Sequence, residues 1–550
     1  MKDTRVDGPG PGAAFAAAAL AAAVALPSLA NGLVYDDVAA ISENPLVHSL
    51  GHPLRIWTSS YWPAGQLYRP LTIQLFAAEW WAGKGAPLPF HLANVVLYAA
   101  VTALVYRVAR RLLPGVAAFA AAALFAVHPV HVEVVANAVG QSELLMTLCV
   151  LGATDRYLAW RAQGGLGAGR RALLALLYLL AIASKETGYV LPGLLLAAEL
   201  LVVEDGRPGR ARWREVRPVF ALLAAAMVAG LLLRIALLSG LKAETATLPL
   251  EGLGPAQRAL VMLAAAPEWV RLLVWPAHLQ AQYGPPGVPV GVPVGARHLL
   301  GLGLLAGATV LLAATWRRAP VIALGLGWIA IALAPVSNLA TATGVIVAER
   351  NLFLPSVGLV LVAGEIIAAL GERFGKRPKA RVSLAAVLSA LIVAGAVRSA
   401  GRASAWRTQD GFFEHLARDA PDSYRAQLGA GSYFLGKHRF AEAERALASA
   451  RALYQGDERV FEAYGQLYRV QNRCDRALPI FAEGVSRLPE ATVVRSRLIE
   501  CALQVGDTAR ALRTAEAAVA LGQTEFAHTV DRLRGLSRQL PPAPDRPSSR

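Results

Sequence analysis

The sequence predicts an all-α protein: a polytopic membrane helix bundle of about eleven spans, followed by a solenoid of tetratricopeptide-type repeats. Hydrophobic residues make up 55% of the 550 residues, and the mean hydropathy is +0.43. Apolar stretches of about 18–25 residues recur between Ala13 and Ala400 and then stop. Stretches of that length cross about 30 Å of hydrocarbon at 1.5 Å per helical residue. The remaining chain is polar and amphipathic, with an internal period of 34 residues.

The formal net charge of +16 arises from short basic clusters between the apolar stretches. The five clusters are Arg107/Arg110/Arg111, Arg156/Arg161/Arg170/Arg171, Arg207/Arg210/Arg212/Arg214/Arg217, Arg317/Arg318 and Arg373/Lys376/Arg377/Lys379/Arg381. The positive-inside rule places these clusters in the cytoplasm and the other connections outside, at 31–86, 128–142, 184–188, 239–296 and 337–350. Topology therefore explains the basic charge, and nucleic acid is not expected as a partner.

One further segment decides the number of spans. Arg258 to Trp275 is apolar enough to cross, but it carries Arg258, Glu268 and Arg271 and is interrupted by Pro267. If it crossed, the last two basic clusters would face outward, so we expect it to lie against the outer membrane surface. That gives an odd number of spans. The chain is then a multi-pass protein of the cell (inner) membrane, with its polar connections and C-terminal domain on the non-cytoplasmic side.

Acidic and basic side chains gather in the predicted outer connections. Asp36 and Asp37 directly follow the first span; adjacent carboxylates repel, which raises the pKa of at least one, although a helix cap would have the same residues. Lys185 and Glu186 form a second charged pair that could bond internally. Glu349 and Arg350 form a third, at the entry to an apolar helix. Charged residues at membrane depth are functional candidates by default.

The connection 128–142 contains His128, His131 and Glu133. His-x-x-His can bind a metal, but Pro129 prevents a regular helical face and no third ligand is nearby, so no metal site is predicted. A requirement for a divalent metal stays open. No Walker loop, dinucleotide fingerprint or Ser-centred elbow occurs, so no cofactor is indicated.

Several strings occur in a characteristic order. They are YDD (35–37), YRPLT (68–72), FHLAN (90–94), HPVHVE (128–133), SKETG (184–188) and ERNLFLPSVG (349–358). Together with the repeat tail, they resemble the transmembrane and tetratricopeptide-repeat O-mannosyltransferases and their bacterial relatives, within the GT-C glycosyltransferases. The resemblance covers about residues 30–540. One departure is Gln141, where we would expect a basic residue.

The resemblance implies a polyprenyl-phosphate-linked sugar donor, an inverting transfer and a catalytic acid in the first outer connection. Asp36 and Asp37 match that acid, with the choice between them open and Glu133 as the next candidate. An acceptor hydroxyl needs a carboxylate to take its proton. The departing lipid phosphate needs fixed positive charge, for which Arg350, Lys185 and Arg69 are the candidates. His128, His131, Glu186 and Glu349 are expected to support these groups.

The C-terminal domain shows the tetratricopeptide pattern, with Ala443, Ala477 and Ala511 spaced 34 residues apart. We expect repeats at about 424–457, 458–491 and 492–525, then a capping helix. The predicted domains are a GT-C-like membrane domain (1–400), a linker (401–423), a repeat domain (424–540) and a disordered tail (541–550). Cys474 and Cys501 fall on adjacent repeats, and a disulfide between them would need an oxidising compartment.

These features favour a membrane glycosyltransferase that moves a sugar, mannose in the family it resembles, from a polyprenyl-phosphate carrier to a protein hydroxyl outside the cytoplasm. Three repeats form a concave surface that suits a protein or peptide acceptor, or serve as a scaffold without a ligand. The alternatives are transfer to a lipid or cell-wall glycan, and a non-enzymatic membrane scaffold or transporter whose repeats bind partner proteins. The expected partners are the lipid-linked sugar, membrane lipids and the acceptor.

Overall fold

The computed structural model describes residues 11–62, 67–238, 248–250, 252–375 and 377–539. Within these ranges the chain is largely helical and has no strand, and extended pairing is limited to isolated bridge residues such as Pro286 and Ser423. The all-α prediction is confirmed. The predicted disordered tail 541–550 and Lys376 lie outside the described residues. The chain divides into two compact units: Met1–Ala281 with Gly291–His415, and Gln282–Val290 with Leu416–Arg550.

Fifteen helices form most of the described part of the first unit. They are α1 (Pro11–Ala25), α2 (Pro53–Trp57), α3 (Pro70–Gly83), α4 (Leu88–Leu112), α5 (Gly115–Ala126), α6 (Val132–Ala136), α7 (Gln141–Ala162), α8 (Ala168–Ser184), α9 (Leu191–Leu201), α10 (Gly209–Leu238), α11 (Pro255–Val274), α12 (Ala296–Thr315), α13 (Pro320–Leu333), α14 (Phe353–Arg373) and α15 (Pro378–Ala403). Helix α16 (Gln409–Asp419) follows, and the division between the two units falls within it.

Six helices of the described chain are long and apolar enough to cross a membrane. They are Gly12–Ala30, Leu88–Leu112, Gly209–Leu238, Ala296–Thr315, Glu349–Phe374 and Pro378–Trp406. The bent pair Gly115–Ala126 and Pro129–Ala136 would be a seventh span. The other four predicted spans correspond to α7, α8, α9 and α13. Helices α8, α9 and α13 are shorter than the six long apolar helices. Helix α7 carries charged residues near both of its ends. The protein is thus an all-α membrane protein, and the count of about eleven spans stays a prediction.

Small residues bring the membrane helices close together. A Cβ added to Gly325 of α13 would lie 2.5 Å from the carbonyl oxygen of Gly358 in α14. A Cβ on Gly358 would likewise lie 2.3 Å from the carbonyl oxygen of Gly325. Because lipid tails are as apolar as the helix surfaces, van der Waals packing at such close contacts contributes much of the association between membrane helices. These two glycines therefore fix α14, which directly follows the 3-10 turn Glu349–Leu352 that carries Arg350, against its neighbour.

The break between α5 and α6 sets the direction of the second outer connection. The two halves of this helix pair differ in direction by 48°. Pro129 has no N–H to continue the helix, and the Nδ1 of His128 accepts the N–H of Val130 at 3.3 Å. A turn of 3-10 helix (Pro129–His131) follows, and Glu133 then lies in the first turn of α6. The proline thus determines where Glu133 lies.

The second unit contains three successive helix pairs and a last helix. These are α17 (Tyr424–Gly436) and α18 (Phe440–Leu453), α19 (Glu458–Arg469) and α20 (Cys474–Arg487), α21 (Thr492–Gln504) and α22 (Thr508–Ala520), and α23 (Ala527–Gln539). Ala443, Ala477 and Ala511, the residues of the 34-residue period, are fully buried. Small residues at these positions let the paired helices approach closely. The predicted domain boundaries themselves stay a prediction.

Two further contacts consolidate this unit. Cys474 and Cys501 form a disulfide between α20 and α21, with 5.2 Å between their Cα atoms. The segment Gln282–Val290 also belongs here: the N–H of Tyr424 donates to the carbonyl of Pro285 at 3.3 Å. A piece of the long connection between α11 and α12 therefore packs at the first repeat.

Candidate functional site

The two acids of the first outer connection have different surroundings. Asp37 is fully buried and accepts three backbone N–H groups, from Val34 at 3.2 Å, Ala138 at 3.3 Å and Val139 at 2.8 Å. Burial raises the pKa of Asp37 to about 7, although these three hydrogen bonds lower it. Asp37 thereby ties the first outer connection to the second. With its oxygens engaged in this way, it serves as an anchor.

Asp36 is partly exposed and lies near three charged side chains. Loss of solvent raises the pKa of Asp36 above its ordinary value. The positive charges of Arg350 and Arg69 lower this pKa, and the negative charge of Glu133 raises it. These interactions place Asp36 beside residues from three other parts of the chain. Of the two adjacent acids, Asp36 is the one that faces a charged site.

Glu133 holds Arg350 by two contacts. Its Oε1 forms an ion pair with the guanidinium Nη1, and its Oε2 accepts the backbone N–H of Arg350 at 2.8 Å. Glu133 is buried, whereas the Arg350 side chain is 29% exposed. Neighbouring Glu349 is also buried, and its Oε1 accepts the N–H of Gln280 at 2.5 Å. Glu133 therefore positions Arg350, and Glu349 holds the end of the connection that follows α11.

The pairing of Lys185 differs from the prediction. Lys185 forms a buried ion pair with Glu143, at the start of α7, and not with its neighbour Glu186. Glu186 instead accepts both Nε and Nη2 of Arg69, at 3.0 and 2.9 Å. The reason is local geometry: Lys185 has an extended backbone (φ −158°, ψ 146°), so successive side chains point in opposite directions. Glu143, an acid at the end of the second outer connection to which the sequence assigned no catalytic or phosphate-binding role, is thus the partner of Lys185.

The three cationic side chains predicted to bind phosphate lie close to one another. Burial lowers the pKa of Lys185, the charge of Glu143 raises it, and the positive charges of Arg69 and Arg350 lower it. Such mutual interactions require proximity, because charges separated by more than about 10 Å are screened in water. Arg69 also lies over the ring of Tyr61, with 4.9 Å between the guanidinium carbon and the ring centroid. The structure therefore brings Asp36, Glu133, Lys185, Glu186, Arg69 and Arg350 together.

The two histidines have structural partners. His131 is buried, with 3.0 Å between its Nδ1 and the hydroxyl of Tyr98 and 2.8 Å between its Nε2 and the Oγ of Ser356. The Nε2 of His128 lies 2.9 Å from the carbonyl oxygen of Leu273. Across the described ranges, no three His, Cys, Asp or Glu side chains are grouped to hold a metal. The histidines thus link the bend after α5 to α4, α11 and α14.

A buried amide and acid explain the unexpected Gln141. Its Nε2 lies 2.9 and 3.0 Å from the two carboxyl oxygens of Glu79 and 3.1 Å from the carbonyl of Phe90. Burial raises the pKa of Glu79 to about 8, and the hydrogen bond from Gln141 lowers it. A basic residue is therefore not needed to satisfy this acid. The signal that could have found Glu79 is its isolation within an otherwise uncharged stretch, 70–83.

Two buried asparagines, Asn94 of the FHLAN string and Asn31 shortly before the YDD string, support the same loops. Asn94 donates to the carbonyls of Val135 at 3.2 Å and Asn137 at 2.8 Å. Asn31 donates to the carbonyls of Ala136 at 3.1 Å and Ala403 at 3.2 Å. Buried backbone carbonyls need such donors. These amides hold the connection from α6 to α7, which bears two of the N–H groups that bond Asp37, in place.

Comparison with known proteins finds similarity to protein O-mannosyl-transferases. The chain is 26% identical to protein O-mannosyl-transferase Tmtc1 of Drosophila melanogaster, over 77% of this chain and 59% of the relative. It is also 26% identical to the human protein O-mannosyl-transferase TMTC4, over 74% of this chain and 61% of that protein. The chain is thus similar to protein O-mannosyl-transferases over about three quarters of its length.

A shorter match, to Drosophila Tmtc2, is 38% identical over 36% of this chain and 22% of the relative. No family model matches the sequence. The chain spans about three fifths of the length of the relatives it matches most broadly. The resemblance inferred from the ordered strings is confirmed, and the named activity of the relatives bears on this chain as a proposal.

Proposed function

We propose that this protein is a membrane glycosyltransferase that moves mannose from a polyprenyl-phosphate carrier to a protein hydroxyl outside the cytoplasm. The names of the homologues support mannose and a protein acceptor. The observation that carries the proposal is the pairing of one partly exposed acid, Asp36, with the neighbouring cations Arg350 and Arg69. An acid that accepts a proton beside cations that bind a phosphate is what this transfer requires.

Asp36 acts as the base. The acceptor oxygen attacks the anomeric carbon and loses its proton to the Asp36 carboxylate, while the bond from that carbon to the phosphate oxygen breaks. The electrons of the broken bond stay on the phosphate. The raised pKa of Asp36 makes its carboxylate a stronger base than that of an exposed aspartate. Asp37, held by three N–H groups, does not take part directly.

Arg350 is the main ligand of the leaving phosphate. Its Nη1 bonds Glu133, while Nε and Nη2 donate to no group in the described part of the chain. A planar guanidinium can bond a carboxylate along one edge and phosphate oxygens along another. Negative charge on the phosphate grows as the sugar bond breaks, so this contact favours the transition state over the ground state. Lys185 and Arg69 add positive charge from within their own ion pairs.

The site and the repeats lie on the non-cytoplasmic side, and the repeats recruit the protein acceptor. Two observations support the same side for both. The segment Gln282–Val290 comes from the predicted outer connection 239–296 and packs with the first repeat. The Cys474–Cys501 disulfide fits an oxidising compartment and is rare in the cytosol.

The test uses the purified chain in lipid nanodiscs, a polyprenyl-phosphate mannose donor and a library of peptides rich in Ser and Thr. We expect mannose on peptide hydroxyls, measured by mass spectrometry. Asp36→Asn should lower the rate about 100-fold or more. Glu43→Gln, an exposed acid on the same connection, should retain the wild-type rate. Mannose found only on lipid or glycan acceptors would contradict a protein acceptor, and equal rates for both variants would remove Asp36 from the chemistry.

A further inference from the structure

The residue before Asp36 has an unusual backbone conformation. Tyr35 has φ = +57°, in the left-handed region that side chains other than glycine rarely adopt. This conformation costs about 1–2 kcal/mol for an L-residue and persists only where surrounding contacts hold it. Because Tyr35 directly precedes Asp36, the conformation of Tyr35 decides where the Asp36 carboxyl points. The contacts that hold Tyr35 therefore bear on the proposed base.

Those contacts come from the segment after the last apolar helix. The side-chain Oε1 of Gln409 accepts the backbone N–H of Tyr35 at 2.8 Å. The ring of Phe412 stacks on the ring of Tyr35, with 4.8 Å between centroids, and Phe413 meets it edge-on at 6.3 Å. Phe412 is itself buried, and its ring centroid lies 4.6 Å from that of Trp406. One hydrogen bond and two aromatic rings thus hold Tyr35, and Trp406 supports one of those rings.

The same segment holds the start of the connection. The N–H of Gly32 donates to the carbonyl of Arg407 at 3.0 Å. Asn31 donates to the carbonyl of Ala403, at the end of α15. Residues 31–35 therefore contact residues 403–413 through three hydrogen bonds and two aromatic rings. This segment lies within the predicted linker 401–423, yet it contacts the loop that carries the proposed base.

We propose that Gln409 and Phe412 are positioning residues that hold Tyr35 in its left-handed conformation and so aim Asp36 at the acceptor hydroxyl. This inference rests on the proposed function for its catalytic consequence, but the holding contacts can be measured without activity. Gln409 and Phe412 do not touch the reacting atoms and act through Tyr35. Misplacement of a catalytic group by about 1 Å costs about 100-fold in rate, so a partial loss of support has a measurable effect.

The experiment combines hydrogen exchange with kinetics on the full chain in nanodiscs. The variants are Gln409→Ala, which removes the acceptor, Gln409→Glu, which keeps an acceptor oxygen, and Phe412→Leu, which removes the stacked ring. Gln163→Ala, which removes an exposed amide that bonds Arg170, is the matched control. Exchange is followed in peptides that cover residues 31–40. Mannose transfer is measured with the donor and peptide library described above.

We expect Gln409→Ala to speed exchange at Tyr35 about two- to tenfold, the effect of one lost hydrogen bond. It should also lower kcat about tenfold while changing KM less than about twofold. Gln409→Glu should restore most of the protection, Phe412→Leu should resemble Gln409→Ala, and Gln163→Ala should resemble the wild type.

Unchanged exchange at residues 31–40 in both Gln409→Ala and Phe412→Leu would overturn the inference. Faster exchange with an unchanged kcat would overturn it as well, because the contacts would then be structural only. If the wild-type chain transfers no mannose, the proposed function fails on that result alone. The exchange data would still decide whether Gln409 and Phe412 hold Tyr35.

Discussion

The ion pair between Lys185 and Glu143 permits a sharp test of the site. Both side chains are more than nine-tenths buried, and they connect the end of α8 to the start of α7. Glu143→Leu leaves a buried ammonium without its carboxylate, and Lys185→Met leaves the carboxylate without its ammonium. Each single change should lower the free energy of unfolding by about 3–5 kcal/mol, because an uncompensated charge remains buried. The double variant Lys185→Met/Glu143→Leu replaces the pair with apolar side chains and should cost much less.

The stability of the Glu143→Leu variant should also depend on pH. Without Glu143, only burial and the positive charges of Arg69 and Arg350 act on Lys185, and all of these lower its pKa. The native state of Glu143→Leu then binds fewer protons than the unfolded state, so its stability increases as the pH rises towards the unfolded pKa of lysine, about 10.4.

The assay is denaturant unfolding of the four proteins in detergent at pH 6, 7 and 8.5. The expected coupling energy of the double-mutant cycle is about 3 kcal/mol or more. Additive effects, with coupling below about 0.5 kcal/mol, would refute the pairing. Binding of the polyprenyl-phosphate donor to the stable double variant then separates two roles. Weaker binding would mean that Lys185 contacts the phosphate, and unchanged binding would leave it a structural residue.

Two further predictions follow from the same contacts. Glu133→Gln removes a carboxylate that raises the pKa of Asp36, so the acidic limb of the pH profile of kcat/KM should move to lower pH. Arg350→Gln removes a cation that lowers this pKa, so the acidic limb should move to higher pH. Shifts in the same direction would contradict this placement of Asp36. Cys474→Ser should destabilise the repeat unit by about 3.5 kcal/mol, from the 27-residue separation of the cysteines. Non-reducing alkylation of the wild type in cells should find both thiols protected, and free thiols would contradict a non-cytoplasmic repeat domain.

The features that sequence predicted best are those repeated along the chain with a fixed period. Apolar stretches of about 20 residues correspond to helices such as α4, α10, α14 and α15. The 34-residue period anticipated helix pairs that begin at Tyr424, Glu458 and Thr492. Such patterns are local, so they can be read without knowledge of tertiary contacts. The ordered strings likewise predicted the similarity to protein O-mannosyl-transferases, because related chains share the order of such strings.

Pairing between distant residues could not be predicted in the same way. Glu133 bonds Arg350 across 217 residues, and Asp37 bonds Val139 across 102. Nothing in the adjacency of Asp36 and Asp37 indicates that one would accept three N–H groups and the other would face cations. Adjacency was misleading for Lys185, because an extended residue directs its side chain away from that of its neighbour. Which acid is buried and which is free depends on packing that only the folded chain defines.

The charge balance of the site supports the proposal that Arg350 is the main ligand of the leaving phosphate. Arg69, Lys185 and Arg350 each bond one carboxylate, from Glu186, Glu143 and Glu133. With Asp36 ionised, these seven side chains carry one more negative than positive charge, so total charge does not attract a phosphate. Binding of the phosphate must then depend on hydrogen-bond donors that are already held in position and are not all engaged in other hydrogen bonds. Arg350 meets this condition, because Glu133 fixes its position through Nη1. The Nε and Nη2 of the planar guanidinium are then left for phosphate oxygens.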